Sequence, residues 1–233
     1  LESMKKHKWK KYKIMRKSKT LRSHLPKTRR LTASHFRGML KKYGAIIVKP
    51  RYGSGGVGVM RIRKTSSGRY EVRYKTRKKR MNRIRDVYAY VLRKRKGRTM
   101  IVQRYIHLAK TGGRPFDLRV MVQRRSVKSG KWKITGRLAK IAGKGYIITN
   151  VRRSHGKVTG ASSAIRNSNI RNRSVRTILR EVDHLCLVGA KKLSRRYRWI
   201  HTVGMDVGID RKGKVWIIEA NFKPSLALFR KLS

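Results

Sequence analysis

The chain has 233 residues, of which 66 are lysine or arginine and 9 are aspartate or glutamate, so its formal charge is +57. Hydrophobic residues make up 39% of the chain and occur in periodic blocks, which excludes a disordered basic tail and allows one large domain or two small ones. The single cysteine, Cys186, excludes an intramolecular disulfide, and the lack of a recognisable signal peptide or of an apolar run near ~20 residues favours a cytoplasmic protein without a transmembrane segment.

The first half of the chain predicts helices and a hairpin. The basic segment 4–24 is predicted to be helical until Pro26 interrupts the pattern. A short helix follows in "TASHFRGMLKKYG", with Ser34 as its N-cap and Gly44 at its end. The segment "AIIVKP" predicts a strand. The alternating segments "VGVMRIRK" and "RYEVRYK" flank "TSSG" and predict a hairpin.

The second half alternates between helical and strand patterns. A helix is predicted in "NRIRDVYAYVLRKRK", and a strand in "MIVQRYI". Two antiparallel strands are predicted in "FDLRVMVQR" and "KWKITGRLAKIA". Residues 174–193 form the longest predicted helix, and "TVGMDVGID" and "KVWIIEAN" are predicted strands joined by "RKGK". This mixture of helices and hairpins predicts an α+β fold with antiparallel sheets.

The extreme positive charge indicates a polyanionic partner. A compact chain of this charge repels itself unless salt or a polyanion relieves the repulsion. A surface that contacts nucleic acid or another acidic polymer is one interpretation, and a solvated basic coat is the other.

Two carboxylates and one amide in the last two strands predict a magnesium site. Asp206 and Glu219 lie in apolar strands, which a hairpin turn at residues 211–213 would bring side by side. Glu219 and Asn221 are two residues apart and therefore point to the same face. Two carboxylates with an amide oxygen suit Mg²⁺, which leaves its other positions to water and phosphate. The alternative is that both acids only neutralise nearby lysine and arginine.

The segment "VKPRYGSGGVGVMRIRK" contains four glycines, at positions 53, 55, 56 and 58, directly after a strand that ends in Lys49 and Pro50. Glycines let backbone N–H groups turn toward a bound anion, and a lysine provides a point charge for phosphate. The loop is not a Walker A motif, because no Gly-Lys-Ser/Thr and no helix follow it. A tight turn between two strands is the alternative interpretation.

Several of these segments together resemble a known superfamily. Lys49-Pro50 before a glycine-rich hairpin, "VQRYI", "FDLRVMV" and "DVGID" followed by "VWIIEAN" resemble the ATP-grasp superfamily, most of all its YheC/YheD (endospore coat-associated) group. The likeness runs over about residues 8–228. It implies an ATP-grasp fold of two α+β subdomains with antiparallel sheets that clasp a nucleotide. The expected divisions are a basic N-terminal segment 4–32, a small subdomain 33–100 and a large subdomain 101–233.

The resemblance also implies which residues bind the nucleotide. Lys8 would be a first nucleotide lysine, and Lys49 would contact the α- and β-phosphates. The flap over the phosphates would be Gly53–Gly56, and the strand that reads adenine would be Gln103–Ile106. The full implied set is Lys8, Lys49, Gly53, Ser54, Gly55, Gly56, Gln103, Arg104, Tyr105, Ile106, Asp117 and Asn150.

The implied catalytic residues are two cations. Arg119, in a D-x-R signature with Asp117, would face the γ-phosphate or an acyl phosphate, and Lys140 stands where relatives usually carry arginine. Asn150 would precede a loop that lacks the glycine pair of the relatives. By the same resemblance, Asp206, Glu219 and Asn221 would be the Mg²⁺ ligands. The N-terminal α/β domain of many relatives is expected to be absent or removed.

The activity that the resemblance implies is an ATP- and Mg²⁺-dependent carboxylate–amine (or thiol) ligase that acts through an acyl phosphate on an acidic or polymeric acceptor. The alternative is a polyanion-binding protein, for nucleic acid or a spore polymer, on an ATP-grasp scaffold with weak or no ligase activity. A purely nucleic-acid-binding protein of ribosomal type would share the charge but would not explain Asp206, Glu219 and Asn221. The resemblance adds association with the spore to the expected cytoplasmic location.

Overall fold

The computed structural model describes residues 7–53, 55–127, 130–146, 149, 151 and 155–230. The chain divides into two compact units. The first comprises Leu1–Leu25, Ile106–Lys144 and Thr149–Ser233, and the second comprises Pro26–Tyr105 and Gly145–Ile148. The subdomain divisions at residues 32 and 100 stay a prediction.

The helices and strands follow one another along the chain in this order: α1 (Lys8–Arg16), α2 (Lys19–Arg22), β1 (Thr28–Arg30), α3 (Ala33–Tyr43), β2 (Ala45–Pro50), β3 (Met60–Lys64), β4 (Tyr70–Tyr74), β5 (Arg77–Met81), α4 (Ile84–Lys94), β6 (Met100–Arg104), β7 (Lys110–Thr111), β8 (Arg114–Gln123), β9 (Lys133–Ile141), β10 (Lys157–Gly160), α5 (Ala161–Arg166), α6 (Val175–Ser194), β11 (Thr202–Ile209) and β12 (Val215–Asn221). The α+β class is confirmed, and the strand pairs within the named sheets are antiparallel.

The second unit is built on a sheet with the strand order β1-β6-β2-β3-β4-β5. Apolar side chains of one face, among them Ile46, Met60 and Val72, form a buried cluster with Phe36 of α3 and Val91 of α4. The predicted hairpin is confirmed by the pairing of β3 with β4. Because side chains alternate along a strand, the residues between these apolar positions lie on the opposite face of the sheet.

Local capping determines where the helices of the N-terminal region begin and end. The hydroxyl of Thr32, and not that of Ser34 as predicted, accepts the N–H of His35 at 3.1 Å and caps α3. Gly44 ends α3 with a φ of 68°, a left-handed conformation that favours glycine. The helix predicted for 4–24 is two helices, because Ser18 caps α2 by accepting the N–H of Leu21 at 3.4 Å.

The first unit is built on the sheet β10-β9-β8-β11-β12, with β7 paired to β8. The 20-residue helix α6 covers one face, where Ile178, Val182 and Leu185 join the core of the unit. Tyr12 and Met15 of α1 belong to the same core. None of the helices in the described residues has the length and the apolar composition that a membrane span requires.

Candidate functional site

The pairing of β12, β11, β8 and β9 brings charged residues onto one face of the first unit's sheet. The hairpin predicted for β11 and β12 is confirmed, and Glu219 pairs directly with Asp206. On its other side Asp206 pairs with Arg119, and two residues away Asp117 pairs with Lys140. Residues that face each other across strands, or stand two apart along one strand, share a face. Strand register therefore collects these five residues.

Asp206 lies at the centre of this cluster. Its Oδ1 accepts hydrogen bonds from Arg119 Nε at 2.9 Å and from Lys140 Nζ at 2.7 Å. Its Oδ2 accepts from Arg119 Nη2 at 3.2 Å and from Asn221 Nδ2 at 3.3 Å. An ionised carboxylate offers about four lone-pair positions, so these four bonds saturate it.

The buried ionisable groups of the cluster shift one another's pKa. Burial would raise the pKa of Asp206, but Arg119 and Lys140 more than offset it and hold this pKa well below its usual range. Burial raises the pKa of Asp117, and the Asp206 charge adds to the increase. Burial would lower the pKa of Lys140, but Asp117 and Asp206 outweigh it and raise this pKa. Asp206 is therefore held ionised and Lys140 protonated.

Asp117 has one well-bonded oxygen and one that is poorly bonded. Its Oδ2 accepts the hydroxyl of Thr149. Its Oδ1 is 3.1 Å from Lys140 Nζ, which is an ion-pair distance, yet this buried oxygen has no partner with hydrogen-bond geometry in the described part of the chain. The ion pair holds this oxygen, because charge attraction depends less on angle than a hydrogen bond does. Lys140 thus bridges the carboxylates of Asp117 and Asp206.

Two lysines of α1 reach the β12 side of the cluster. Lys8 Nζ donates to Glu219 Oε1 at 2.8 Å. Lys11 is buried, donates to the backbone carbonyl of Ala220 at 2.5 Å and lies 4.6 Å from the ring centre of Phe222. Desolvation lowers the pKa of Lys11 to about 8, although Glu219 opposes the decrease. The cluster thus contains cations from α1, β8 and β9 around the carboxylates of β8, β11 and β12.

The second unit holds the predicted phosphate lysine. Lys49 of β2 is buried, and its Nζ donates to Gln103 Oε1 at 2.9 Å. Gln103 Nε2 donates in turn to Thr28 Oγ1 at 2.9 Å, and that hydroxyl donates to the carbonyl of Pro26 at 2.8 Å. This chain of bonds orients the lysine on the face of the sheet that is opposite the helices.

The glycine-rich loop connects β2 to β3. Gly53, Gly55, Gly56 and Gly58 all have positive φ, between 71° and 99°. A side chain at Gly58 would also lie 2.9 Å from the guanidinium of Arg98. The loop therefore requires glycine for its backbone conformation, whichever ligand it meets.

The predicted adenine-reading strand continues from β6. Arg104 stacks over Tyr43 at 5.2 Å, and the N–H of Tyr105 donates to the carbonyl of Ala45 at 3.2 Å. Ile106 is buried. Two predicted nucleotide residues, Ser54 and Asn150, lie outside the described residues.

The donor set of Asp206, Glu219 and Asn221 fits Mg²⁺ in chemistry and placement. Oxygen ligands from two adjacent strands share one face, and Mg²⁺ takes few protein ligands of this type. The carboxamide of Asn221 can present its oxygen after a half-turn, which would also free a lone pair of Asp206. Within the described ranges, no group of three or more His, Cys, Asp or Glu could hold a metal ion. The predicted magnesium set contains only two carboxylates, Asp206 and Glu219, and its third ligand is the amide oxygen of Asn221.

Two buried charged residues, Lys11 and Glu71, were given no role by the sequence-based prediction. Lys11 stands in the lysine run "HKWKKYK", where its spacing of four from Met15 is the only signal that it faces the core. Glu71 is fully buried and bound by cations of three strands. Its signal is a lone acid in the alternating strand "RYEVRYK".

The fold is that of a class of ligases. The ATP-grasp ligase PsnB, complexed with a minimal precursor, has a similar structure, with a TM-score of 0.54, 14% identity, and coverage of 96% of this chain and 54% of PsnB. Its complex with a phosphomimetic precursor variant, Mg and ADP gives a TM-score of 0.56 at 15% identity, over all of this chain and 55% of the other. N5-carboxyaminoimidazole ribonucleotide synthetase from Thermotoga maritima gives 0.51 at 9% identity, over 94% of this chain and 42% of the other. These likenesses show an ATP-grasp fold.

Within that class, residues 2–233 match the family described as YheC/D like ATP-grasp, and the chain belongs to this family. The endospore coat-associated protein YheD of Bacillus subtilis (strain 168) is 26% identical over 193 residues, which are 80% of this chain and 41% of YheD. The endospore coat-associated protein YheC of the same strain is 20% identical over 225 residues, which are 93% of this chain and 59% of YheC. The chain thus spans about half the length of these two relatives.

Proposed function

We propose that the chain is an ATP- and Mg²⁺-dependent ligase that activates a carboxylate as an acyl phosphate and joins it to an amine or a thiol. The observation that carries this proposal is the set of oxygen donors on β11 and β12, directly beside Arg119 and Lys140. Two separate cations with a hard-oxygen donor set suit a reaction that transfers a phosphoryl group. Three of the chain's 9 acidic residues, Asp117, Asp206 and Glu219, lie on this one sheet face.

In this proposal, Asp206, Glu219 and Asn221 hold Mg²⁺. The ion would supply charge neutralisation for the transferred phosphoryl group. Asp206 is suited to this role because Arg119 and Lys140 keep it ionised. Lys8 Nζ donates to Glu219 at 2.8 Å in the structure. In the complex, this ammonium group would turn from the carboxylate to a phosphate oxygen.

Arg119 and Lys140 would stabilise the charge that develops during transfer. Both donate to Asp206 in the structure, and both are held protonated by the surrounding carboxylates. Bidentate donors of a guanidinium match two phosphate oxygens, whereas the lysine acts as a point charge. These residues would therefore orient the γ-phosphate and lower the barrier without forming a covalent intermediate with the chain.

The reaction would proceed in two steps, phosphoryl transfer to the carboxylate and then attack of the amine or thiol. A carboxylate oxygen of the acceptor attacks the γ-phosphorus, the bond from that phosphorus to the β,γ-bridging oxygen breaks, and ADP leaves. The amine or thiol then attacks the carbonyl carbon, phosphate leaves with the bonding electrons, and the attacking group loses a proton. No serine or cysteine nucleophile is required.

The second unit would supply phosphate contacts of its own. Lys49 is oriented by Gln103, and the loop from Gly53 to Gly58 has the backbone freedom that close contact with phosphate requires. Tyr105 and Ile106 would border the adenine. Ser54 and Asn150 keep the nucleotide roles implied by the resemblance as predictions.

The nature of the acceptor follows from the charge. A chain of +57 attracts anions over a distance and raises their local concentration. We therefore propose an acidic or polymeric acceptor. The relatives are named for the endospore coat, which supports association with the spore. The cytoplasmic location stays a prediction.

The test is calorimetric titration of ATP with and without Mg²⁺, at high salt to suppress indiscriminate phosphate binding. Glu219→Gln should remove the Mg²⁺-dependent part of the affinity and abolish ATP turnover. Glu181→Gln is the matched control, because it makes the same chemical change on α6, where Glu181 forms an ion pair with Arg173. Unchanged turnover in Glu219→Gln would refute the proposal.

Polyanion binding is a second candidate function. Four consecutive exposed cations, Arg77 to Arg80, occupy β5, at the end of the sheet's strand order. Binding through many such contacts would weaken by about 10³ or more between low and moderate salt. Affinity for DNA, RNA and acidic polymers should be measured across that range. A flat salt dependence would contradict this candidate, which is compatible with ligase activity.

A further inference from the structure

A single carboxylate in the second unit holds cations from three strands. Glu71 Oε1 accepts from Arg61 Nη2 at 2.9 Å, from Arg63 Nε at 3.0 Å and from Arg73 Nε at 3.2 Å. Glu71 Oε2 accepts from Arg63 Nη2 at 3.0 Å and lies 3.3 Å from Lys78 Nζ. We call Arg61, Arg63, Glu71, Arg73 and Lys78 the Glu71 cluster.

Strand register places the Glu71 cluster on one face. Arg63 pairs with Glu71 and Arg61 pairs with Arg73 across β3 and β4, and Arg73 pairs with Lys78 across β4 and β5. This is the face opposite the apolar cluster with α3 and α4. The cations therefore form a short two-dimensional array with a fixed spacing.

The array keeps a surplus of positive charge that solvent can reach. Four cations surround one carboxylate, which leaves three positive charges uncompensated within the Glu71 cluster. The Glu71 side chain is completely covered, but Arg63, Lys78 and Arg73 are 45%, 38% and 31% exposed. Glu71 thus holds the guanidinium groups in position while their outer edges stay accessible.

Arg61 has an unused donor in the same array. Its Nε is buried and has no hydrogen-bond partner in the described part of the chain. Its guanidinium lies 5.4 Å from the ring centre of Tyr105. A buried donor without an acceptor is unfavourable, and a ligand oxygen toward which the guanidinium turned would satisfy it.

We propose that the Glu71 cluster binds the acidic side chains of a polypeptide acceptor, an inference that rests on the proposed ligase function. Arg63 already binds one carboxylate in bidentate geometry, and the outward N–H groups that Glu71 leaves unused can donate to an incoming carboxylate. Alternate residues of an extended peptide repeat every ~6.8 Å, which is also the spacing of Arg61 and Arg63 along β3.

A polypeptide suits this face better than a nucleic acid does. Single-stranded nucleic acids gain much of their affinity by stacking bases on aromatic rings. On this face, the described residues of β3, β4 and β5 carry cations and Glu71 but no aromatic side chain. Tyr105, which directly follows β6, is already in contact with the guanidinium of Arg61.

The experiment measures binding of a short poly-L-glutamate to the full chain without ATP or Mg²⁺. The double variant Arg73→Gln/Lys78→Gln removes two cations of the Glu71 cluster and leaves Arg61 and Arg63 to hold Glu71. The matched control, Arg93→Gln/Lys94→Gln, removes the same charge from exposed positions on α4, which packs against the other face of the sheet. We expect at least about a tenfold loss of affinity in the first variant and little change in the second.

Each outcome of this experiment decides the inference. An equal loss in both variants would mean that only overall charge matters, and would overturn it. Single-stranded DNA of matched charge that binds more tightly than poly-L-glutamate, and depends on Arg73 and Lys78, would assign the face to nucleic acid and also overturn it. Selective loss of poly-L-glutamate binding in a protein without ATP turnover would retain the peptide site and reject only the ligase proposal. Melting curves of both variants check that each is folded.

Discussion

Replacing Glu71 by glutamine should destabilise the second unit in a pH-dependent manner. The substitution keeps the shape of the side chain but removes the negative charge that binds Arg61, Arg63, Arg73 and Lys78. The cations would then face one another across β3, β4 and β5 without a common partner. Removing one partner of a buried ion pair destabilises the fold more than replacing both partners by apolar residues does.

The magnitude follows from the pKa of Glu71. Hydrogen bonds, first of all from Arg63, outweigh burial and lower this pKa from 4.5 to about 2. A decrease of this size corresponds to about 3 kcal/mol at 1.36 kcal/mol per pKa unit. Three of the four cations are about a third to a half exposed, so solvent screening reduces the expected effect to about 2 kcal/mol.

The sign of the pH dependence follows from the same shift. A carboxyl whose pKa is lower in the folded state stabilises the protein above its unfolded pKa. The stability difference between wild type and Glu71→Gln should therefore be full above about pH 4.5 and decline as the pH falls toward about 2. Comparing the two proteins at each pH cancels the titration of the other carboxyl groups.

Hydrogen exchange of β3 and β4 amides is the suitable assay, because it reports opening of the second unit alone. All four tryptophans, Trp9, Trp132, Trp199 and Trp216, belong to the first unit, so their fluorescence provides an internal control. Exchange should accelerate by roughly thirtyfold at neutral pH for a loss of about 2 kcal/mol. An effect of the same size at pH 7 and pH 2, or no effect at pH 7, would refute the reasoning.

Two further predictions concern the first unit. Lys11→Met should stabilise it by about 2 kcal/mol at pH 7, because burial of the charge lowers the pKa of Lys11 from 10.5 to about 8 and the lost bond to Ala220 offsets only part of the gain. The stability difference should shrink above pH 8, because Lys11 of the folded wild type then loses its proton at a lower pH than Lys11 of the unfolded chain. Urea unfolding followed by tryptophan fluorescence measures the difference, and a variant less stable than wild type at pH 7 would contradict this account. Gly204→Ala should cost about 1–3 kcal/mol and weaken Mg²⁺-ATP binding, because its Cβ would lie 2.6 Å from Pro224 and 3.4 Å from Arg119 Cδ. Gly38→Ala, with open space around the new Cβ, is the control that should not destabilise the protein.

Several strands could be found from the sequence only because one of their faces is apolar. The pattern of β3, β4, β8, β11 and β12 alternates or is apolar throughout, and each was predicted. In contrast, β5 reads "RKKRM", a pattern without an apolar face that predicts no strand. This segment is a strand because β4 offers it backbone hydrogen bonds, which leave no trace in the local pattern. The short β1 and β10 escaped prediction for a similar reason.

The sequence by itself determined the α+β class, the hairpin of Asp206 and Glu219, and the glycine requirement of the loop after Lys49. These features depend on short-range periodicity and turn chemistry, which neighbouring residues specify. Only the tertiary structure decided which of the 66 lysines and arginines meet a carboxylate. Lys140 reaches Asp206 across two strand pairings. Lys11 is buried because of the rotation of α1 about its own axis, which turns Lys11, Tyr12 and Met15 toward the protein. Such contacts depend on long-range register and packing, and in so basic a chain the local sequence distinguishes no cation from the next.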